Sequence, residues 1–227
     1  TRKARISPSS GPRTKRHDPR IPDRACSLAA PAAAQEVTPD SIPRGQQDYH
    51  AAGAGAYRLD PAHSAVQARV PHMGFSVSVF RFGTVSGQLD WNPDDPGQSR
   101  LEAEVEIASI MTPVGGFAEI LTGPDYLDSA TNPTAHFIAD SFTAESPTQG
   151  TVSGQITLLG KTQPATFDVT LIGAGKGYTG DEAGNPVIRD LIGIHAETEI
   201  DPQAHGMNAF FTDPITIEID AEFARQE

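Results

Sequence analysis

Two histidines and an aspartate lie close together in the sequence and are of the types that hold metal ions or move protons. They are Asp60, His63 and His72, within YRLDPAHSAVQARVPHMGFSVSVFRFGTVSGQLDW, residues 57–91. A zinc site needs three or four converging ligands. Along an unbroken strand, at about 3.3 Å per residue, the two histidines would be about 30 Å apart. The spacing therefore favours structural roles. In these roles His63 caps the turn that begins at Asp60, and His72 forms a hydrogen bond with a backbone group at a strand bend.

Other patterns that could carry chemistry are weaker. Ser64 follows a histidine, but neighbouring residues of a strand point to opposite faces and no G-x-S-x-G elbow surrounds it. The glycine-rich GAGKGYTG, residues 173–180, lacks the Ser or Thr that follows the lysine of a phosphate loop, and it favours a hairpin turn. His136 and His195 fall on polar strand faces, and His205 falls in a loop. We expect no catalytic residue, no metal ion and no cofactor.

The elements that would position these residues are strands. From Tyr57 onward, apolar and polar residues alternate, as in LEAEVEI (101–107), TFDVTLIG (166–173), IHAETEI (194–200) and ITIEIDAEF (215–223). This period of two is typical of antiparallel strands with one buried face. Further strands fit at about 63–71, 77–91, 134–142 and 151–159, and one helical segment fits at 116–130.

About eight strands with almost no helix predict an all-β domain. Such a sheet either closes into an antiparallel barrel or forms a sandwich. A barrel of eight strands is just wide enough to hold side chains or one small ligand.

The charge distribution excludes one class of function. Residues 1–24 contain eight of the 17 Lys and Arg but only two of the 29 Asp and Glu, so residues 25–227 carry a net charge of −18. A body this acidic is a poor partner for nucleic acid, whose binding depends on phosphate neutralisation. No apolar run reaches the roughly 18 residues of a membrane-spanning helix. The single cysteine, Cys26, excludes an internal disulfide.

The chain is predicted to have two parts, with a basic tail, signal region and linker over 1–54 and the barrel domain over 55–225. The first 24 residues have few large apolar side chains, which predicts disorder. Ala32-Ala33-Ala34 before Gln35 resembles a secretory cleavage site. A Pro/Ala-rich linker is the alternative, and whether residues 1–34 remain in the mature protein stays open.

Five segments together resemble the YceI-like family. They are LDPAHSAV, PHMGFSVSVFRFGTVSGQL, GPDYLDSATNPTAHF, VSGQITLLGKTQPATFDVTL and EIDPQAHGMNAFFTDPITIEIDAEF, in this order over residues 56–224. The resemblance implies an elongated, lipocalin-like barrel of eight antiparallel strands with a helix near one mouth. It also implies an apolar tunnel for long-chain lipids such as isoprenoid quinones, a periplasmic or secreted location, and no enzymatic activity.

The chain departs from the family pattern at positions where many members carry charged residues. Where many members have an Arg-Asp pair, a His and a Lys or Arg before the GPDYLD segment, this chain has Phe117, Ala118, Ile120 and Thr122. Where members often have an Arg in the late strand, it has Pro202, and where they have an aromatic residue, it has His205. The resemblance then implies a neutral or weakly polar ligand and puts prenyl diphosphates in doubt.

The predicted ligand-binding residues are the inward-facing apolar positions and the helical segment, which we expect to act as a lid. Several inward positions are small and leave space for a ligand. The full set is Ala68, Val70, Phe75, Leu101, Ala103, Val105, Phe117, Ile120, Leu121, Tyr126, Phe137, Ile156, Leu158, Phe167, Val169, Ile194, Ala196, Ile217 and Ile219.

The leading hypothesis is a barrel that sequesters or carries a long-chain apolar ligand, such as an isoprenoid, a quinone or a related lipid. Two alternatives stay open. One is an accessory enzyme for a quinone or lipid that uses His63 or His72, and the other is a filled barrel that binds partners through its acidic surface. Peripheral exchange of the ligand with a membrane and a homodimer are also left open.

Overall fold

The computed structural model describes residues 41–181 and 183–227. The predicted basic tail and signal region fall in residues 1–40, outside the described residues. The elements, in chain order, are β1 Gly55–Leu59, β2 Ala65–His72, β3 Ser76–Phe82, β4 Val85–Trp91, β5 Arg100–Glu106, β6 Ile110–Met111, α1 Phe117–Leu121, β7 Thr134–Ala144, β8 Gln149–Leu158, β9 Lys161–Gly180, β10 Pro186–Ile200 and β11 Ile215–Arg225. Short 3₁₀ turns include Tyr49–Ala51 and Pro61–His63.

The strands close into an antiparallel barrel of eight, which confirms the predicted fold class. Three of the eight are interrupted, so β1 with β2, β3 with β4, and β5 with β6 each form one side of the barrel. Each strand then pairs with the next along the chain through β7, β8, β9, β10 and β11. The barrel closes because β11 pairs with β1, as Tyr57 opposite Arg225, and with β2, as Ala68 opposite Ile217.

The alternation of residue types explains which face of each strand is buried. In β4, Val85, Gly87 and Leu89 are buried while the residues between them are exposed. In β5, Leu101 and Ala103 also face inward, yet they are only half-buried. Both line a cavity instead of a filled core. The mixture of buried and half-buried inward positions therefore indicates a partly hollow barrel.

The two ends of the barrel carry different elements. We call the end with the β2–β3 turn, α1 and the β10–β11 loop the upper end, and the end with the β9–β10 turn the lower end. At the upper end, α1 packs through Leu121 on Phe80 and Ile110. The helix has only five residues and is followed by turns, because Gly123-Pro124 cannot continue it. The predicted helical segment 116–130 is therefore mostly irregular.

Residues 45–54 close the lower end, where the sequence favours a linker. Gln46 pairs with Ala174 of β9, with N···O distances of 2.8 and 2.9 Å, and Ala52 is fully buried. Gly45 lies so close to β9 that a Cβ on it would be 2.9 Å from the Cα of Gly173. The sequence could not show this contact, because it depends on two glycines more than 100 residues apart instead of on a local apolar pattern.

The glycine-rich segment 173–180 is also different from its prediction. It forms the second half of β9, and the hairpin turn follows it at 181–185. Lys176 in this segment contacts Asp190 of β10 at 2.8 Å. The segment stays extended because it pairs with β10 up to Gly180, opposite Pro186.

Candidate functional site

A cavity of about 250 Å³ lies inside the upper and middle barrel. The inward faces of the strands form its wall, and Leu121, Leu127, Met207 and Phe211 cover its upper end. Its lining is apolar apart from Ser86, Glu104, His136 and the Tyr126 hydroxyl. No Lys or Arg of the described chain lines it. Such a surface offers hydrocarbon contact over almost its whole area, and it offers no cation to a charged head group.

Most of the predicted ligand-binding residues line this cavity. Their common feature is an inward position on a strand, or a place in the segment that covers the upper end. They are Ala68, Val70, Leu101, Ala103, Val105, Leu121, Tyr126, Phe137, Ile156, Leu158, Phe167, Val169, Ile194, Ala196, Ile217 and Ile219.

Three predicted residues do not line the cavity. Phe75 lies in the β2–β3 turn with 86% of its surface exposed, and Ile120 is on the outer side of α1. Phe117 packs edge-on against Phe80, with 5.9 Å between the ring centroids. The short helix buries only Leu121, so its other apolar residues stay outside.

Sequence reasoning missed further lining residues. Some extend a pattern that was already recognised, since Val66 lies two residues before Ala68, and Phe223 lies four residues after Ile219. Met207 and Phe211 lie in the β10–β11 loop, where no periodic pattern marks them. The period of two could have found the first group but not the second.

A second cavity of about 120 Å³ lies at the lower end, between the barrel wall and Tyr49. It shares wall residues with the first cavity, namely Leu101, Val152, Val169, Ile194 and Phe223. The indole N–H of Trp91, also in its wall, is buried without a hydrogen-bond partner among the described residues. Taken together, the two volumes reach the lower range of ligand pockets, roughly 300 Å³.

Asp60 and His63 form a hydrogen-bonded pair outside the barrel. Asp60 accepts a bond from the N–H of Ala62 at 2.9 Å and caps the short turn Pro61–His63. His63 Nδ1 lies 2.9 Å from Asp60 Oδ2 and 3.8 Å from Glu222 Oε1. The capping residue is therefore Asp60, and His63 is the last residue of the turn instead of its predicted cap. The backbone of Asp60 also donates to Glu222 O at 2.8 Å, so the cluster fixes the break between β1 and β2 against β11.

The electrostatics of this cluster follow from its contacts. Burial opposes ionisation of Asp60, but the hydrogen bonds from His63 and the Ala62 N–H outweigh it and hold the pKa of Asp60 below its ordinary value. The hydrogen bond with Asp60 raises the pKa of His63, and burial raises the pKa of Glu222. The three ligand atoms lie within 4.8 Å of one another, a donor set suited to a divalent cation. None of the three residues lines either cavity.

The other histidines serve different parts of the frame. His72 is the exposed last residue of β2, and its side chain makes no hydrogen bond with the described residues, so the predicted backbone contact is wrong. Its carbonyl accepts the N–H of Phe75 instead, at 2.9 Å. His195 lies on an outer strand face beside Asp220, as the alternation predicts. His136 is half exposed beside Glu104, with 3.4 Å between its Nδ1 and Glu104 Oε2, and both residues also border the cavity. His205 is buried, with its Nδ1 3.2 Å from the carbonyl of Lys161.

Comparison with known proteins identifies the family. The family model described as a YceI-like domain matches residues 57–223. The chain belongs to the YceI-like family. A UPF0312 protein of Pseudomonas putida is 28% identical over 134 residues, which are 58% of this chain and 70% of the relative. A UPF0312 protein of Pseudomonas fluorescens is 24% identical over 74% of this chain and 84% of its own length.

Solved structures share the fold of this YceI-like chain at low identity. BcnA of Burkholderia cenocepacia matches with a TM-score of 0.59 and 19% identity, over 72% of this chain and 98% of that one. The YceI protein of Campylobacter jejuni gives 0.59 and 20%, over 70% and 91%. A polyisoprenoid binding domain from Saccharophagus degradans gives 0.55 and 12%, over 77% and 100%. At these identities the likeness concerns the barrel.

The positions at which this YceI-like chain departs from the family pattern lie together at the upper end. Phe117, Ala118 and Ile120 belong to α1, and Thr122 follows them directly. Pro202 and His205 belong to the β10–β11 loop, and both are buried. The departures therefore fall on the elements that cover the cavity.

Proposed function

We propose that this protein binds a long-chain apolar ligand, such as an isoprenoid, a quinone or a related lipid, inside the barrel and sequesters or carries it. The observation that carries the proposal is the cavity of about 250 Å³ with its apolar wall. Burial of a methylene contributes about 0.8 kcal/mol, so one five-carbon isoprene unit contributes up to about 4 kcal/mol before ordering costs. A hydrocarbon chain is the ligand that gains most from such a wall.

The family supports the same proposal. The solved domain from Saccharophagus degradans is described as polyisoprenoid binding and has the same barrel. The sixteen predicted residues on the cavity wall are the residues that we propose touch the ligand.

The ligand's head group is proposed to be neutral or weakly polar. A diphosphate needs cations or a row of N–H donors, and no Lys or Arg in the described part of the chain lines the cavity. A quinone or a prenyl alcohol needs only one or two hydrogen-bonding groups. Tyr126 at the upper end and the unpartnered indole N–H of Trp91 at the lower end are groups of that kind.

The location and the partners belong to the proposal as well. A periplasmic or secreted location fits the sequence before Gln35 and the family resemblance. In the described ranges, no helix has the length and hydropathy to cross a bilayer. A carrier of this kind exchanges its ligand with a membrane at the surface, and a homodimer is a further proposal. Binding and release need no catalytic step.

The experiment is native mass spectrometry with organic extraction of the protein purified from a lipid-rich host. A long-chain lipid bound at about one per chain supports the proposal and gives the chemical class. The emptied protein is then offered a prenyl alcohol and the matching prenyl diphosphate, and we expect the alcohol to bind more tightly. A protein that is empty and also takes up neither a quinone nor a prenyl alcohol would refute the function.

A further inference from the structure

The upper end of the barrel exposes an unusual amount of apolar surface. Phe75 is 86% exposed and Met73 is 56% exposed, both in the β2–β3 turn, and Val77 and Val79 follow on the outer face of β3. Soluble proteins seldom expose contiguous apolar patches of this kind except where something binds. We call residues 72–79 the apolar tip.

The backbone of the apolar tip is built to present these side chains. The N–H of Phe75 donates to the carbonyl of His72 at 2.9 Å and closes the turn. Met73 and Gly74 both have positive φ, 51° and 76°. Turns with this backbone usually carry Asn, Asp or Gly at such positions, because these residues tolerate positive φ. A methionine here has an unfavourable backbone conformation, and more than half of its surface stays exposed.

The apolar tip is continuous with the cover of the cavity. Val79 is exposed and the next residue, Phe80, is buried and lines the cavity. The same change occurs in the β10–β11 loop, where Phe210 is exposed and Phe211 lines the cavity. Around the upper end, large apolar side chains therefore lie on both sides of a thin cover.

The charge pattern limits what can dock there. The chain has 29 Asp and Glu in 227 residues, yet none lies between Asp60 and Asp90, so the apolar tip carries no carboxylate. The carboxylates of the upper end lie outside the apolar tip, in α1, in the segment after it and in the β10–β11 loop, as Glu119, Asp125, Asp128, Asp201 and Asp213. The lower end has exposed apolar residues too, but Ile188 there lies near Asp181 and Asp190 in sequence and in the β9–β10 hairpin. Anionic lipid head groups repel carboxylates, and a carboxylate that enters the interface loses hydration. The apolar tip can enter such an interface without that cost.

We infer that the upper end of the barrel docks on a lipid bilayer, with the apolar tip inserted among the head groups. This inference rests on the proposed function, because docking in this orientation brings the cover of the cavity against the membrane. A ligand then passes between bilayer and cavity without exposing its chain to water. The partner is the lipid surface itself, bound through apolar insertion and not through recognition of a particular head group.

The experiment is sedimentation of the full chain with vesicles of phosphatidylcholine, with and without phosphatidylglycerol. The variant is Phe75→Ser, and the control is Ile188→Ser, which removes an apolar side chain of the lower end that is 53% exposed. Full burial of a Phe contributes about 1.5–3 kcal/mol, so we expect the partition coefficient of Phe75→Ser to fall at least about tenfold. The control should sediment like the unaltered chain with both kinds of vesicle.

Two further measurements separate this inference from the proposed function and from a second copy as the occupant. Uptake of a prenyl alcohol from dilute solution, without vesicles, tests the cavity alone and should be equal in both variants. Unaltered chain that stays in the supernatant, or equal loss of vesicle binding in both variants, would overturn the docking surface even if uptake is normal. A dimer in analytical ultracentrifugation that Phe75→Ser converts to a monomer, with vesicle binding unchanged, would also overturn it and assign the apolar tip to a second copy.

Discussion

Replacing Ala103 by Trp tests whether the barrel interior holds a ligand. Ala103 is half-buried, lines the cavity, and lies between Gly87 of β4 and Phe137 of β7. Leu59 already packs on Gly87, so an indole at position 103 has to turn into the cavity. A buried aromatic side chain covers about 150–250 Å², and the ligand loses contact with a similar area of wall. At about 25 cal/mol per Å², this loss is about 4–6 kcal/mol, or about 10³- to 10⁴-fold in affinity.

The stability of the same variant separates a hollow barrel from a filled one. In a hollow interior, the indole fills empty space, and the midpoint of urea unfolding of the ligand-free protein stays the same or rises. In a packed interior, the added atoms cost about 1–3 kcal/mol through strain. The assay is prenyl alcohol uptake together with urea unfolding, and Glu102→Trp on the outer face of β5 is the control. Uptake equal to that of the control, or a large loss of stability, would refute the assignment of Ala103 to a ligand cavity.

Three further predictions concern the stability of the barrel and of the segment that closes its lower end. Asp190→Ala should lower the free energy of unfolding by about 2 kcal/mol in urea titrations, because its buried carboxylate contacts Lys176 and one arginine. Burial opposes ionisation of Asp190, but these contacts hold its pKa below the ordinary value, so the stabilisation should vanish as pH falls through the folded pKa. The raised pKa of His63 changes stability with pH in the opposite direction. The protonated His63 stabilises the fold fully below pH 6.5, the pKa of an unfolded histidine, and this stabilisation is lost as pH rises through the folded pKa. It should stay below about 1 kcal/mol, because the side chain is exposed. The effect should be absent from His63→Ala. Gly45→Val should detach residues 45–54 from β9 and expose them to limited proteolysis, and a cleavage pattern like that of the unaltered chain would contradict this close contact.

The inward faces of the strands could be predicted because burial on one side of a sheet imposes a period of two. Ala103 and Ile217 were assigned to the interior on this pattern alone, and both line the cavity. The number of strands followed from the same alternation. That the interior is partly hollow did not follow, because a small inward residue can pack against a large neighbour as well as leave a space.

Features that depend on distant parts of the chain could not be predicted. Glu222 approaches His63 only because β11 returns to the break between β1 and β2. Met207 and Phe211 reach the cavity from a loop whose path is set by its contacts with the segment after α1, where Phe211 packs on Tyr126. Phe75 was assigned to the ligand site, yet it lies in a turn that leaves its side chain 86% exposed. In each case, the residue types near a position do not show which distant part of the chain it will contact.

The closure of the barrel by β11 determines when the protein can finish folding. Tyr57 pairs with Arg225, so the seam joins residues 168 positions apart. Contacts of such long range make folding slow, because a large loop must be closed before any pairing at the seam is gained. Until the last strand docks, β1 and β10 each present an unpaired edge to other chains. A nascent chain on the ribosome therefore cannot close the barrel before β11 emerges, and a chain without β11 would be an open sheet prone to association.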